Sequence, residues 1–146
     1  IYAKSRDNAR TPMQWSAEEN AGFTDGTPWI EVNPNYTEIN AESERRDPDS
    51  VFSYYRTLTH LRKEYTVFID GRFQLLIEED EQIFAYTRTS DEGEMLVCAN
   101  FSGEPAKCPL ISEWKDAQEL IHNCHGGVTE EFRPYEAVML WKAGTK

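Results

Sequence analysis

Two histidines and two cysteines are the side chains in this sequence that could together bind a metal ion. His122, Cys124 and His125 lie close together in the C-terminal part, and Cys108 precedes them. Zinc sites use these residue types, but at recurring spacings such as Cys-x-x-Cys. The spacing here matches no such pattern, and a Gly-Gly pair follows it directly. We therefore expect neither a metal site nor any other cofactor.

Acid–base and sugar-binding chemistry would depend on other residues. The chain has 26 Asp and Glu residues, the usual acids, bases and nucleophiles of hydrolases. Trp15, Phe23 and Trp29 could stack on the flat face of a ring such as a sugar, but in a loop that must bury its own apolar groups the favoured interpretation is core packing. The sequence has no glycine-rich phosphate loop, serine nucleophile elbow or dinucleotide-binding fingerprint. We therefore set aside the functions that depend on those motifs.

Composition and charge restrict the partners of the chain. It is 39% hydrophobic and 12% aromatic, which is typical of a packed globular protein. The formal net charge of −11 disfavours nucleic acid and anionic membrane surfaces, since both attract Lys and Arg. No run approaches the roughly 18 apolar residues needed to cross a bilayer. An odd cysteine count of three favours a reducing compartment, so the predicted location is the cytoplasm.

A long loop and one helix are predicted in the N-terminal part. Residues 5–40 show neither a helical nor a strand period, which indicates an ordered loop that is functional or anchored on something larger. Asp47 can then cap a helix whose first turn contains Pro48. After it, apolar residues recur at three- and four-residue steps: Val51, Tyr54, Tyr55, Leu58, Leu61 and Tyr65. This spacing predicts one amphipathic helix over residues 48–64.

The remaining sequence has the pattern of an antiparallel β-sandwich. Asp, Asn and Gly at residues 90–93 and 123–127 supply tight turns, and the acidic run at 78–81 is interpreted as a hairpin tip. Short β-rich runs lie between these turns, and their regular spacing predicts the sandwich. The predicted strands are Phe68–Leu76, Ile83–Thr89, Met95–Phe101, Glu119–His122 and Ala137–Trp141.

The segment SRDNARTPMQW at residues 5–15 resembles a signature of the oligo-1,6-glucosidase group within the α-amylase family of glycoside hydrolases. That group includes dextran glucosidases, trehalose-6-phosphate hydrolases and sucrose isomerases. Agreement in the same order over nearly the whole chain is more specific than one short motif. The likeness continues through residues 21–24, 28–30, 32–36, 39–40, 54–55, 61–63, 83–86, 99–101 and 133–137.

The resemblance implies a domain organisation, because in that family a β-sandwich follows a (β/α)₈ barrel that carries the active site. Residues 1–66 would be the last βα loop and final helix of a barrel that begins before this chain, and residues 67–146 the C-terminal sandwich. The expected fold is therefore mainly β. The sandwich would cap and stabilise the barrel. Because Val51, Tyr55 and Leu58 would face barrel strands, the chain alone is expected to expose an apolar surface.

The resemblance also implies which residues serve the reaction. The catalytic Asp and Glu residues of the family lie on earlier barrel strands, so no catalytic residue is assigned and the chain alone is expected to be inactive. Arg6 matches an arginine that reaches the subsite of the non-reducing terminal glucose, where its guanidinium can bind a carboxylate and hydroxyls together; alternatively it only braces the loop. Asp7, Asn8 and Arg10 are weaker candidates, because they can bond neighbouring backbone groups instead.

The implied function is that of a retaining α-glucosidase which, when whole, acts on short α-linked gluco-oligosaccharides from the non-reducing end. One alternative makes the sandwich a carbohydrate-binding module. Against it, we predict no row of exposed aromatics, since Phe84, Tyr86 and Trp141 fall within strands and are interpreted as core. The parent enzyme could also have sucrose isomerase or trehalose-6-phosphate hydrolase specificity, and a stand-alone interaction domain is a third possibility.

Overall fold

The structure is a computed structural model that describes residues 10–144. The chain forms two compact units, divided between Arg56 and Thr57. The helices are α1 (Ala41–Arg46), α2 (Val51–Glu64) and α3 (Val67–Asp70), with short 3-10 segments at Glu19–Gly22, Pro34–Thr37 and Pro109–Trp114. The strands are β1 (Arg72–Leu76), β2 (Ile83–Ser90), β3 (Gly93–Asn100), β4 (Ala106–Lys107), β5 (Gln118–His122), β6 (Glu131–Phe132) and β7 (Ala137–Ala143).

Helix α1 was not predicted, and its start is fixed by a capping box. The Asn40 side chain accepts the backbone N–H of Ser43 at 2.9 Å, and the Ser43 hydroxyl accepts the backbone N–H of Asn40 at 3.4 Å. These two bonds satisfy donors that the first turn leaves free. A helix this short has no long apolar period, so the sequence pattern does not reveal it.

The predicted amphipathic helix is present as α2, but it begins at Val51 and not at Pro48. The hydroxyl of Ser50 accepts the N–H of Ser53 at 3.1 Å, which is the geometry of an N-cap. Asp47, the predicted cap, instead accepts the N–H of Asp49 at 2.8 Å. This bond closes a turn ahead of the helix, so the predicted start is wrong although the predicted end at residue 64 is confirmed.

The predicted strand from Phe68 to Leu76 is wrong in its first half. Residues Val67–Asp70 form α3, and only Arg72–Leu76 form β1. Val67 is completely buried, so tertiary packing outweighs the β-propensity of this Val-Phe-Ile run. Gly71 makes the transition possible, because a Cβ there would lie 2.4 Å from the Val67 carbonyl oxygen.

The second unit contains a five-stranded antiparallel sheet in the order β1-β2-β3-β7-β5. The four predicted strands after position 80 correspond to β2, β3, β5 and β7. Strands β2 and β3 are joined by a tight turn in which Ser90 pairs with Gly93. A Cβ at Gly93, whose φ is +149°, would lie 2.2 Å from the Lys142 carbonyl oxygen, so this turn requires glycine. The mainly β, antiparallel fold class is confirmed.

The hydrophobic core lies between one face of this sheet and a second layer. The second layer consists of the β4–β6 ladder and the 3-10 segment Pro109–Trp114. Phe132, on β6, is one of the largest side chains to be fully buried. The core cluster consists of Ile83, Ala85, Leu96, Cys98, Ala106, Cys108, Ile111, Trp114, Phe132, Val138 and Leu140.

The opposite face of the sheet is covered at one end. Met95 and Trp141 are buried there, and the ring of Tyr65 packs edge-on against Trp141 with a centroid distance of 5.1 Å. Helix α3 contacts β2 and β3, and the Arg88 guanidinium donates to the Val67 carbonyl at 2.9 Å. The interpretation of Trp141 as a core residue is therefore confirmed.

Candidate functional site

Of the residues predicted to contact sugar, the structure places one. Arg10 is exposed, whereas Arg6, Asp7 and Asn8 lie outside the described residues. Their roles in substrate binding therefore stay predictions. The part of the site that the structure describes is the loop that follows them.

Gln14 anchors this loop. Its side-chain amide donates to Asn35 Oδ1 at 2.9 Å and to the Ile39 carbonyl at 2.5 Å. Its own carbonyl accepts the N–H of Ala41 at 2.8 Å. These three bonds tie the end of the 5–15 motif to the 3-10 segment Pro34–Thr37 and to the start of α1. The described part of the predicted loop is therefore irregular in secondary structure but held by specific hydrogen bonds.

A left-handed turn in the same loop shapes its surface. Asn20, Ala21 and Gly22 have φ values of 54°, 58° and 63°. The Asn20 amide donates to the carbonyls of Thr24 and Gly26 at 3.2 and 3.1 Å, which closes the segment on itself. A shallow cleft beside the turn is lined by Asn20, Thr27, Pro28, Trp29, Glu31 and Val32.

The three loop aromatics do not pack in a core. Trp15 and Phe23 are about half exposed, and Trp29 is 99% exposed. The core-packing interpretation of these residues is therefore wrong for the chain as the structure describes it. Exposed flat rings in a loop can stack on a sugar or pack against another protein surface, and both uses stay open.

A second set of aromatic rings lies on the uncovered end of the sheet. We call it the aromatic row, and it consists of Phe73, Tyr86, Phe84 and Phe101. Successive ring centroids are 5.1, 5.7 and 6.0 Å apart. Phe84 is 44% exposed and Phe101 is 71% exposed. Tyr86 is partly buried, and this burial raises the pKa of its phenol. The prediction that no such row exists, and that Phe84 and Tyr86 belong to the core, is wrong.

The aromatic row arises because the first half of β2 is apolar on both faces. Ile83 and Ala85 face the core cluster, so Phe84 and Tyr86, which alternate with them, face the other way. Cross-strand pairing then places Phe73 on β1 next to Tyr86. The row therefore offers a continuous apolar surface on the second unit.

A buried polar group, which we call the His122 centre, lies where β5 and β7 pair. His122 Nε2 is 2.7 Å from Glu136 Oε1, and both side chains are only 3% exposed. The other oxygen of Glu136 accepts the backbone N–H of Arg133 at 2.6 Å. His122 Nδ1 is buried and has no hydrogen-bond partner, and Glu119 Oε2 lies 3.8 Å from it.

Cys124 lies close to this centre, whereas Cys108 does not. Ligand atoms offered by His122, Cys124 and Glu136 all lie within 4.8 Å of one another. Cys108 is instead in the core, with its sulfur 3.5 Å from that of Cys98. The hydrogen bond to Cys108, and then burial, raise the pKa of the Cys98 thiol, so Cys98 remains protonated. The sequence suggested a group of Cys108, His122, Cys124 and His125. The fold instead places Cys108 apart from His122 and Cys124 and brings Glu136 next to them.

Two acidic side chains, those of Glu136 and Asp80, have structural roles because they accept hydrogen bonds from neighbouring groups. Glu136 is the buried acid among the residues that the structure describes, and both of its oxygens accept hydrogen bonds. Asp80, in the acidic run that forms the predicted hairpin tip, accepts the N–H groups of Ile83 and Gln82 at 2.8 and 2.9 Å. Those two bonds lower the pKa of the Asp80 carboxyl.

Within residues 10–144 no helix combines the length and the apolar character that crossing a bilayer requires. The longest helix is α2, with 14 residues.

Comparison with known proteins gives consistent matches to one family. Residues 1–71 match the catalytic-domain model of the α-amylases. The chain is 46% identical over 144 residues to an oligo-1,6-glucosidase of Halalkalibacterium halodurans, a match that covers 94% of this chain and 26% of the relative.

Solved structures agree with the sequence matches. The trehalose-6-phosphate hydrolase of Bacillus licheniformis superposes with a TM-score of 0.83 at 42% identity, covering 97% of this chain and 27% of that one. The trehalulose synthase of Pseudomonas mesoacidophila superposes with a TM-score of 0.80 at 38% identity, covering 94% and 26%. The chain thus spans about a quarter of the length of these relatives.

Proposed function

Because this chain belongs to the α-amylase family of glycoside hydrolases, we propose that it is the C-terminal portion of an α-glucosidase. The whole enzyme would hydrolyse α-glucosidic bonds of short gluco-oligosaccharides from the non-reducing end. The observation that carries this proposal is the 46% identity to an oligo-1,6-glucosidase across 94% of the chain. Trehalose-6-phosphate hydrolase or sucrose isomerase specificity in the parent is the alternative, and similarity to such enzymes supports it.

The proposed domain boundary follows the family organisation. Residues 1–66 would be the last βα loop and final helix of the catalytic barrel, and residues 67–146 the sandwich. The match to the catalytic-domain model ends at residue 71, directly before β1 begins at Arg72. Helix α2 also leaves Val51 and Tyr55 69% and 65% exposed, which supports the proposal that they face barrel strands in the parent.

The proposed mechanism is retaining hydrolysis, which needs a carboxylate nucleophile and a carboxylic acid about 5–5.5 Å apart. In our proposal both groups belong to the part of the parent enzyme that precedes this chain. Glu136 is unsuited to either role, because its two oxygens are occupied by His122 and by the Arg133 backbone. The chain alone would therefore be inactive, and the substrate would be bound by the barrel, in the cytoplasm.

Arg6 is the residue of this chain that we propose contacts substrate. In the intact enzyme, Arg6→Ala should lower kcat/KM on isomaltose roughly 10- to 100-fold, because a hydrogen bond from a charged group contributes about 1.5–3 kcal/mol. Arg45→Ala, at an exposed position of α1, is the matched comparison and should change kcat/KM by about twofold or less. Equal losses in the two variants would contradict a specific substrate role for Arg6.

The sandwich is proposed to act as a cap on the barrel, with the aromatic row as an apolar contact surface. The alternative is a carbohydrate-binding module, which the aromatic row favours because exposed rings can stack on sugars. The two readings differ in what the rings bind. A cap contacts protein, so the isolated chain should associate with itself, whereas a module should bind soluble sugar.

We expect the isolated chain to form oligomers in static light scattering, because an exposed apolar patch promotes association. Replacing Phe84 and Phe101 together with serine should shift the distribution towards monomer. Trp29→Ser removes an exposed aromatic outside the row and should leave the distribution unchanged. In parallel calorimetry, saturable binding of maltose or isomaltose that the Phe84/Phe101 double variant abolishes would reject the cap in favour of the module.

The test of the proposed function as a whole is to clone the gene together with the roughly 400 codons that precede this segment, a length typical of barrels with insertions. The product should release glucose from isomaltose and should lose activity when a barrel carboxylate is replaced with its amide. A preceding sequence without a barrel and its carboxylates would overturn the proposal.

A further inference from the structure

We propose that His122 and Cys124 bind one divalent cation of the zinc type, with the Glu119 carboxylate and solvent completing its coordination. The imidazole, thiol and carboxylate groups of His122, Cys124 and Glu136 share one small volume, since their ligand atoms lie within 4.8 Å of one another. Four-coordinate zinc with bonds of 2.0–2.3 Å holds its ligand atoms about 3.3–3.8 Å apart. In that group Glu136 faces His122 Nε2, so in our proposal the half-exposed Glu119 side chain, 3.8 Å from Nδ1, provides the carboxylate that binds the cation.

The tautomer of His122 indicates that the ring is a ligand. A neutral imidazole carries one N–H, and Nε2 needs it, because Nε2 faces the Glu136 carboxylate at 2.7 Å. Nδ1 is then a bare lone pair, and it is buried without any hydrogen-bond donor. An unsatisfied buried acceptor is costly, whereas a cation is a partner that a lone pair can accept.

Glu136 has the role of the carboxylate that orients a metal-bound histidine. Metal-binding histidines commonly donate their other ring N–H to a carboxylate, which fixes the tautomer and the ring orientation. Glu136 accepts from His122 Nε2, and its second oxygen is held by the Arg133 backbone N–H at 2.6 Å. The carboxylate is therefore fixed from both sides before any cation binds.

The loop that carries Cys124 is fastened to the segment that carries Glu136. On one side of Cys124, the Asn123 amide donates to the Tyr135 carbonyl at 2.8 Å, and its oxygen accepts the Ala137 N–H at 2.8 Å. On the other side, the Arg133 guanidinium donates to the His125 carbonyl at 2.7 Å. Both neighbours of Cys124 are thus tied to the residues around Glu136, which limits where the thiol can lie.

The Arg133 guanidinium, 3.4 Å from Glu136 Oε2, already pairs with that carboxylate, so the acidic group left for a cation is Glu119. Glu119 Oε2 lies 3.8 Å from His122 Nδ1, close to the spacing of two ligand atoms on one zinc ion. Binding would release the Cys124 thiol proton to solvent, because the thiolate is the form that binds metals. One thiolate and one carboxylate then neutralise the two positive charges of the ion.

Cobalt(II) is the probe that tests this proposal, because a bound thiolate gives it a charge-transfer absorption. The purified 146-residue chain, stripped with a chelator, should develop this band and saturate at one equivalent, and Zn²⁺ should abolish it. Cys124→Ser changes only sulfur to oxygen and should remove the band, with binding at least about 10-fold weaker. Glu119→Gln should keep the band but weaken binding, and His125→Gln, a neighbouring imidazole outside the ligand set, should leave it unchanged.

Two results would overturn the proposal. The first is the absence of a saturable band in the wild-type chain at a large excess of Co²⁺. The second is a band that persists in the Cys124→Ser variant, which would place the ion on the thiols of Cys98 and Cys108. Circular dichroism of each variant verifies that the fold is retained. Neither result depends on the proposed glucosidase function, so the two proposals fail separately.

Discussion

Glu136→Ala should lower the free energy of unfolding of the chain by about 2–5 kcal/mol, because it removes the acceptor of two buried hydrogen-bond donors and each such loss costs about 1–3 kcal/mol. Glu136 is 3% exposed and accepts hydrogen bonds from His122 Nε2 and from the backbone N–H of Arg133. Alanine leaves both of these buried donors without their acceptor. Urea unfolding monitored by circular dichroism gives the difference.

Glu136→Gln provides a graded comparison. A carboxylate presents an acceptor to each of the two donors, whereas an amide presents one acceptor and turns its NH₂ towards the other donor. The glutamine variant should therefore lose less stability than the alanine variant but remain weaker than the wild type, and it keeps the experiment informative if the alanine variant fails to fold. Glu104→Ala, at an exposed position, should stay within about 0.5 kcal/mol of the wild type.

The opposite order of the two Glu136 variants would show that the buried pair does not stabilise the fold. An alanine variant as stable as the wild type would have the same meaning, because the desolvation cost of a buried carboxylate can offset the hydrogen bonds that it accepts. In that case, water would have to replace the carboxylate as the acceptor for His122 and for the Arg133 N–H in the variant.

The elements with a clear apolar period were predictable from the sequence. Helix α2 and strands β2, β3, β5 and β7 all appear close to their predicted positions. Apolar residues that recur every three to four positions indicate the buried face of a helix, and those that recur every second position indicate the buried face of a strand. The errors lie where local hydrogen bonds or tertiary packing decide. Ser50 sets the start of α2 through its bond to Ser53, and the burial of Val67 makes a helix of a run that has the composition of a strand.

The aromatic row was missed because an alternating sequence pattern shows which face of a strand is buried only when the other face is polar. Ile83 and Ala85 alternate with Phe84 and Tyr86 in the first half of β2, so these four positions are all apolar and their pattern does not show which face is covered. The covered end of that face depends on α3, which was itself predicted as strand.

The His122 centre could not be predicted from sequence spacing, because pairing of β5 with β7 assembles it. His122 lies opposite Val138 in that ladder. This pairing brings its side chain to Glu136, which is 14 residues further along the chain. Tyr135 adopts a φ of 59° directly before Glu136, a conformation that tyrosine seldom adopts. Neither feature leaves a mark in the local sequence. The sugar-contact prediction, by contrast, depends on a recognisable motif, of which the structure describes only Arg10 and the residues after it.

The isolated chain should release no glucose from isomaltose above the level of a mock purification. Glycosidases owe rate accelerations of a millionfold or more to opposed acidic groups, and we propose that the parent enzyme supplies those groups before Ile1. A coupled glucose assay over a range of chain concentrations provides the measurement. The longer gene product, assayed in parallel, is the positive control.

A contaminating glucosidase is the main source of a misleading signal in this assay, and the chain itself offers a way to recognise it. Release that scales with chain concentration, persists after a second purification and disappears in the Arg6→Ala variant would have to come from these residues. That result would contradict the proposed mechanism, because the mechanism assigns both catalytic acids to the parent enzyme. Within this chain, Glu136 already accepts hydrogen bonds from His122 and Arg133, and Asp80 accepts them from the backbone of its own turn. A guanidinium such as that of Arg6 supplies neither the nucleophile nor the acid that cleavage of a glycosidic bond requires.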